Sequence, residues 1–434
     1  MTDGLAARRA ALTALRAVDE DGAWSNLAVP DAVRSLPEVR DRAFASHLAY
    51  DTLRFEGTLD WLLGLVLSRP LDDVEPALVR VLRLGALQLL RTEVPRHAAV
   101  STSVTLAGEA VPRARAKGAG GFVNGVLRNL ATRTEAPPWP DPDADPVGHL
   151  ALTTAHPRWI VTDLLARFAH ERVAAILHAD DEPPGLTLRA VDDREAVLAE
   201  LAEAGVEARP GDGPHAIRAP GADPRRLTAV GVGRAVPQDE ASQRVVLATG
   251  VQPGERILDL CAGPGGKTTY LAQLAGPDGE VTAVELHPHR AEMVRTAARR
   301  QGHEVTVHVG DAGAPPLPAD ARFDRVLLDA PCTGIGTGRR RPEVRWRRTR
   351  EDADRLATVQ RRLLLAAADR VAPGGRLTYA VCTWTAAETD AVARHLDGAR
   401  PDLVPGERVQ LLPDVDGTDG MYVATWDRPV GASQ

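Results

Sequence analysis

The 434 residues carry 44% hydrophobic and 26% charged side chains, ordinary for a folded chain with room for two or three cores. A net charge of −7 argues against a uniformly polyanion-binding surface, and three scattered cysteines exclude a disulfide framework and a Cys-rich zinc site. The apolar run 59–67 is too short to span a bilayer, and the N-terminal segment mixes charge signs without a signal-peptide centre. A cytoplasmic, metal-free monomer is expected.

In chain order, residues 1–135 read as all-helical, because Leu12, Leu15 and Val18, then Leu62, Leu63 and Val66, then Leu78, Val81 and Leu82 recur at helical spacing. The prolines and aspartates of 136–146 suit an exposed linker, placed at 136–149. Residues 150–236 read as a small α+β subdomain with a strand at 185–190 and a helix at 194–204. From residue 237 to the end, strands expected at 256–260, 281–286, 305–309, 325–328 and 376–381 alternate with helices such as 290–300 and 354–370. That alternation implies an α/β domain with a parallel sheet covered on both faces. The stretch 410–426 is suited to closing antiparallel strands. Ligands on such sheets bind beyond the carboxyl ends of the strands.

The turn after the first of these strands, DLCAGPGGKT at 259–268, places Gly263, Gly265 and Gly266 where a ligand must approach the backbone. Cys261 occupies the position where a P-loop needs Gly, and Thr268 breaks the dinucleotide fingerprint. Glu285 ends the next strand, where a carboxylate can accept from two ribose hydroxyls. An S-adenosylmethionine-type nucleoside site fits best, lined by Cys261, Ala262, Gly263, Pro264, Gly265, Gly266, Lys267, Glu285, Asp311 and Asp329. Asp311 is placed to accept from an adenine amino group or, alternatively, to cap its own turn. Lys267 is one of only two lysines, and its compact ammonium suits pairing with Asp329 or with a cofactor carboxylate.

Two cysteines follow apolar runs, Cys332 in DAPCT at 329–333 and Cys382 in YAVCT at 379–383. A lone cysteine is ordinarily an inert small core residue. Two strand-end thiols beside a sulfonium-cofactor turn instead fit methylation of a pyrimidine carbon 5. A thiolate adds to carbon 6, carbon 5 then takes the methyl group, and loss of the carbon-5 proton expels the sulfur. Asp329 is placed to hold the polar edge of the base. The segment 339–350 is densely cationic. Arg339, Arg340, Arg341, Arg345 and Arg347 are expected to contact RNA phosphates, with Trp346 stacking among them.

From 238 onward the chain resembles the Sun-class cytosine carbon-5 RNA methyltransferases, through QDEAS at 238–242, the turn at 259–268, DAPC at 329–332, YAVCT at 379–383 and DGMYVA at 419–424. LRLGALQLL at 82–90, PRHAAV at 95–100 and FVNGVLR at 122–128 look like the helical domain of the antitermination factor NusB, and TAHPRW at 154–159 fits the junction. Together these resemble the RsmB/Sun/Fmu family of 16S rRNA methyltransferases. The resemblance implies a Rossmann-like S-adenosylmethionine methyltransferase sheet, Cys382 as the attacking thiol, Cys332 as the thiol assisting release, and Arg290 supporting Glu285. It also implies 16S rRNA, free or in a partial small subunit, as partner. Family members usually have Ala where Gly263 stands and Ser where Thr333 and Thr383 stand; neither change removes a catalytic group. The rival readings are a nucleotide-dependent oxidoreductase, a non-catalytic antitermination factor and a transfer RNA methyltransferase.

Overall fold

Helical spacing gives α1 (Leu5–Glu20) one buried face of Ala7, Ala11, Ala14, Leu15 and Val18, and α5 (Pro76–Arg91) one of Leu78, Val81, Leu82 and Leu87. With α2 (Ser25–Ala32), α3 (Val39–Arg54), α4 (Glu56–Gly64), α6 (Arg96–Glu109) and α7 (Ala116–Arg133) they enclose a single core around Leu15, Leu48, Leu62, Leu82 and Leu127. Gly85 makes the close approach of α5 to its neighbours possible. A Cβ there would lie 2.5 Å from Leu127 and 2.8 Å from the Ser103 hydroxyl.

This computed structural model describes residues 4–133, 136–191 and 193–431. The chain forms two units, one running through Glu182 together with Gly338–Arg348, the other comprising Pro183–Thr337 and the chain from Thr349 onward. The Pro/Asp-rich stretch is anchored at two points. Trp139 stacks on Trp61 with ring centroids 5.0 Å apart, and Asp145 caps α8 (Pro146–Thr153) by accepting from the Gly148 amide. With α9 (Arg158–Leu165) and α10 (His170–Asp181), α8 belongs to the helical unit. The second unit begins at 183.

In the second unit, β1 (Leu186–Ala190), β2 (Arg209–Pro210), β3 (Ala216–Ala219) and β4 (Ala235–Pro237) form an antiparallel sheet in the order β2-β3-β1-β4. The helix α11 (Arg194–Glu203) packs Val197 and Leu201 against Leu188 and Ile217. The larger sheet contains β5 (Arg256–Leu260), β6 (Glu280–Glu285), β7 (Thr306–Val309), β8 (Phe323–Asp329), β9 (Val371–Val381), β10 (Val404–Leu411) and β11 (Met421–Asp427). Their order is β10-β11-β9-β8-β5-β6-β7, with β5 to β9 pairing parallel and β10 and β11 antiparallel at one edge. β9 starts five residues earlier than the alternation suggested, at Val371, because the glycines at 374 and 375 let the strand continue through a local bend.

Period-two alternation sends Leu258, Leu260, Val326, Leu328, Leu377 and Tyr379 to one face and Ile257, Leu327 and Ala380 to the other. Helices cover both faces, among them α12 (Glu240–Ala248), α13 (Gly266–Ala275), α14 (Pro288–Arg300), α15 (Arg350–Ala368) and α16 (Asp390–Ala399). The strand order departs in both directions from β5, toward β6 and β7 on one side and β8 and β9 on the other. That divergence opens a crevice at the carboxyl ends of β5 and β8. No helix among the described residues is long and apolar enough to cross a membrane, and no cluster of His, Cys, Asp and Glu among them is placed to hold a metal ion.

Candidate active site

Four strand ends converge on the crevice. The turn Cys261–Lys267 follows β5, Glu285 ends β6, Asp329 ends β8, and Cys382 follows β9. In the turn, Cys261 has φ 64° and Gly265 φ 109°. Gly265 N-caps α13 without any side-chain cap, so the first amides of that helix point outward uncapped. Glu285 is 2% exposed and pinned by the amides of Gly263 (2.9 Å) and His287 (3.0 Å). The Arg290 guanidinium lies 3.7 Å from Glu285 and donates to the Gly263 carbonyl. Ala262 is buried, while Pro264 and Gly266 are open to solvent. Uncapped amides for a carboxylate and a fixed acid for ribose hydroxyls are the donor and acceptor set that S-adenosylmethionine requires.

Asp311 follows β7 and is half-exposed. It accepts from the Gly313 amide at 2.8 Å, the capping role that its turn offered, and pairs with Arg362 at 2.9 and 3.2 Å. The Arg362 guanidinium, followed by that amide, holds the Asp311 carboxyl below its ordinary range. Arg362 lies on α15, far along the chain, and the cofactor motif gives no sign of it.

Lys267 and Asp329 form an ion pair of 2.8 Å across the crevice. Burial works to lower the Lys267 pKa, but the Asp329 carboxylate outweighs it and the net shift is upward, so the ammonium persists. Beneath them Asp259 is fully buried. It accepts from the Thr268 hydroxyl at 2.6 Å through one oxygen, and its other oxygen has no partner. Burial pushes its pKa up to about 7 against the Thr268 hydrogen bond. Because the native state holds that proton more tightly than the unfolded chain, its stabilising effect is full in acid and is lost as pH rises toward 7. Asp259→Asn is expected to flatten this dependence. Between pH 5 and 8 the Tm of the wild type should fall relative to that of the variant, and parallel Tm curves would refute the shift.

The two thiols meet. Cys332 Sγ and Cys382 Sγ are 3.3 Å apart, brought together because Asp329 pairs with Ala380 in the β8–β9 register. The hydrogen bond with Cys382, then burial, raises the Cys332 thiol well above its ordinary value. Cys261 sits apart in the turn, and burial pushes its thiol up as well, which leaves it an unreactive filler.

The cationic segment is a different matter. Residues 338–348 belong to the helical unit, and Arg345 is fully buried there. Its guanidinium pairs with Asp180 at 2.5 Å and Asp181 at 2.7 Å and donates to the Ala155 carbonyl at 3.1 Å. Arg347 donates to the carbonyls of Val18 and Ala23, Arg339 donates to that of Glu182 at 3.1 Å, and Arg341 and Arg347 lie over the Trp24 ring. Trp346 donates to the Leu53 carbonyl at 2.7 Å and packs beside Gly57, partly buried against the helical core. Arg340 is half-buried. The expectation that Arg345 contacts phosphates is therefore corrected: local charge density looked like an RNA surface there because its carboxylate and carbonyl partners lie far away in sequence.

Residues outside the cofactor turn also support the site. The Gln238 amide donates to the Gly266 carbonyl at 3.2 Å, and Arg189, fully buried, donates to Gln238 at 2.8 Å and to Thr269 at 3.0 Å. Burial lowers the Arg189 pKa to about 10. This links β1 to the start of α13 without a carboxylate.

A Gly-rich turn with uncapped amides, an acid ending the second strand and paired thiols on adjacent strand ends, all on this sheet, define an S-adenosylmethionine-dependent methyltransferase with a Rossmann-like fold. Comparison with known proteins specifies the family. Residues 246–427 match the model of the 16S rRNA methyltransferase RsmB/F, residues 5–132 the NusB family, and residues 156–222 the RsmF/B-like ferredoxin-like domain. The chain is similar to the putative methyltransferase Rv1407 of Mycobacterium tuberculosis, 45% identical over 97% of this chain and 96% of that protein. It is also similar to the probable ribosomal RNA small subunit methyltransferase B of Bacillus subtilis, 32% identical over 96% of this chain and 98% of that one. Among solved structures, PH0851 superposes with a TM-score of 0.84 over 98% of both chains at 24% identity, a likeness of fold. The chain belongs to the RsmB/F family of 16S rRNA methyltransferases.

Proposed function

We propose that this protein methylates carbon 5 of a cytosine in small-subunit rRNA through a covalent bond between Cys382 and carbon 6 of the base. The observation that carries the reading is the 3.3 Å approach of Cys332 Sγ and Cys382 Sγ beside the Lys267–Asp329 pair. S-adenosylmethionine, held by the turn 261–267 and Glu285, supplies an electrophilic methyl group. Asp329 orients the polar edge of the cytosine, and the ammonium of Lys267 keeps that carboxylate in place. The Cys382 sulfur adds to carbon 6 and makes carbon 5 nucleophilic. After methylation the carbon-5 proton leaves, the bond from carbon 6 to sulfur breaks, and Cys332 assists that release. The target base must leave its stack to reach the crevice. Membership in a methyltransferase family weighs against both the oxidoreductase and the non-catalytic readings.

The test is transfer of labelled methyl groups to 16S rRNA, with the modified position mapped. Wild-type protein is expected to yield 5-methylcytosine and Cys382→Ala to yield none. Normal 5-methylcytosine formation by that variant would refute the assignment of the nucleophile, and a methyl group at any other atom would refute the reaction.

A further inference from the structure

Behind the two thiols lies a carboxylate that the proposed chemistry does not use. Glu388 follows β9, is fully buried, and has only neutral partners. Its Oε1 accepts from the Thr333 amide at 2.8 Å and from the Gln360 side chain at 3.0 Å. Its Oε2 accepts from three hydroxyls: Thr333 at 2.6 Å, Thr385 at 2.8 Å and Thr383 at 3.4 Å. The hydroxyls of Thr333 and Thr383 also meet each other at 3.0 Å. Thr333 directly follows Cys332, and Thr383 directly follows Cys382. Gln360 extends the network by donating to the Pro331 carbonyl at 2.9 Å, on the other side of Cys332.

Removing a carboxylate from water without a cation costs several kcal/mol unless its lone pairs are filled. Here the Thr333 amide, the Gln360 amide and the Thr333 and Thr385 hydroxyls fill them, with Thr383 closing the network onto Thr333, and these donors come from both cysteine loops and from α15. A leucine or methionine could fill the volume, but neither could accept from two loops at once. A glutamine could accept at one atom only, and its amide would face the donors of Thr333 or Thr385. The carboxylate is thus the one side chain of this size able to fix both loops together.

We infer that Glu388 is a positioning residue that clamps the Cys332 and Cys382 loops so that the two sulfurs stay within reach of the same base. That the pair acts on a cytosine rests on the proposed function; the clamp itself does not. The thiol spacing can be read without RNA or cofactor. A trivalent arsenical such as phenylarsine oxide condenses with two neighbouring thiols, forming two As–S bonds and releasing one water. The full-length wild type is expected to take up one arsenical bridging Cys332 and Cys382, located by mass spectrometry.

Glu388→Gln is expected to slow bridging by at least about tenfold and to lower kcat by roughly 10²-fold through misplacement of the sulfurs, with KM for S-adenosylmethionine unchanged. Wild-type bridging and kcat in a folded Glu388→Gln protein would overturn the clamp, as would a lowered Tm with bridging intact, the signature of a purely structural group. If that variant does not fold, Thr333→Ala and Thr333→Ser decide. Slow bridging in the first with recovery in the second supports the clamp, and equal rates in both overturn it. If bridging requires Glu388 while Cys382→Ala still methylates, the clamp stands and the proposed mechanism falls.

Discussion

Replacing Cys332 with alanine is expected to leave methyl transfer intact and to trap the protein on its RNA, as an adduct that survives denaturing electrophoresis. Addition to carbon 6 needs only Cys382, so the bond forms as in the wild type. Breaking it needs removal of the carbon-5 proton, and the Cys332 sulfur is 3.3 Å from the sulfur that must leave. Its thiol pKa is raised by that contact and by burial, so Cys332 rests as a thiol that passes its proton to the departing Cys382 sulfur and takes up the carbon-5 proton in its place. Loss of one such proton-transfer group slows a step by about 10²–10⁴-fold. The adduct should therefore contain methylated cytosine and accumulate in proportion to protein, and the double variant lacking Cys382 as well should form none. Release of free methylated RNA at the wild-type rate would remove Cys332 from the release step.

The placement of the candidate site was legible in the sequence where local rules fix geometry. A strand followed by a Gly-rich turn must present its amides at the strand's carboxyl end, and cysteines placed after β8 and β9 must emerge beside each other if those strands pair. What the sequence hid are the partners of polar side chains. Glu388 reads as one more acid near a helix start until Thr333, 55 residues away, is seen donating to it. Arg189 lies in an ordinary strand, and its contact with Thr269 spans 80 residues. The single cue for Glu388 was a run of small and hydroxylated residues, TWTAAET at 383–389, too polar for a core yet directly after a buried strand. In the stretch at 136–149, proline content predicts missing donors but not the stacking of Trp139 on Trp61.

Arg345 carries the largest expected effect on stability. Substitution by methionine keeps most of the packed stem but removes the guanidinium, leaving Asp180 and Asp181 buried without it. Breaking a buried pair from one side costs about 3–5 kcal/mol, much of the margin by which a domain is folded. The pH dependence follows from Asp180. Burial alone would raise its pKa, but Arg345, helped by His156, outweighs burial and lowers it. The ionised form of Asp180 therefore stabilises the native state above its unfolded pKa, and that contribution disappears as pH falls through the folded value. Without Arg345 the carboxyl can protonate in acid, so the deficit of Arg345→Met should be larger at pH 8 than at pH 5 in urea melts. Adding Asp180→Asn and Asp181→Asn should recover much of the loss, because the penalty comes from unpaired charge. RNA binding separates this role from the one that the sequence suggested: a phosphate contact would lower the salt slope of affinity by about 0.9. A folded Arg345→Met protein is expected to keep the wild-type slope, and a reduced slope would return Arg345 to the RNA surface.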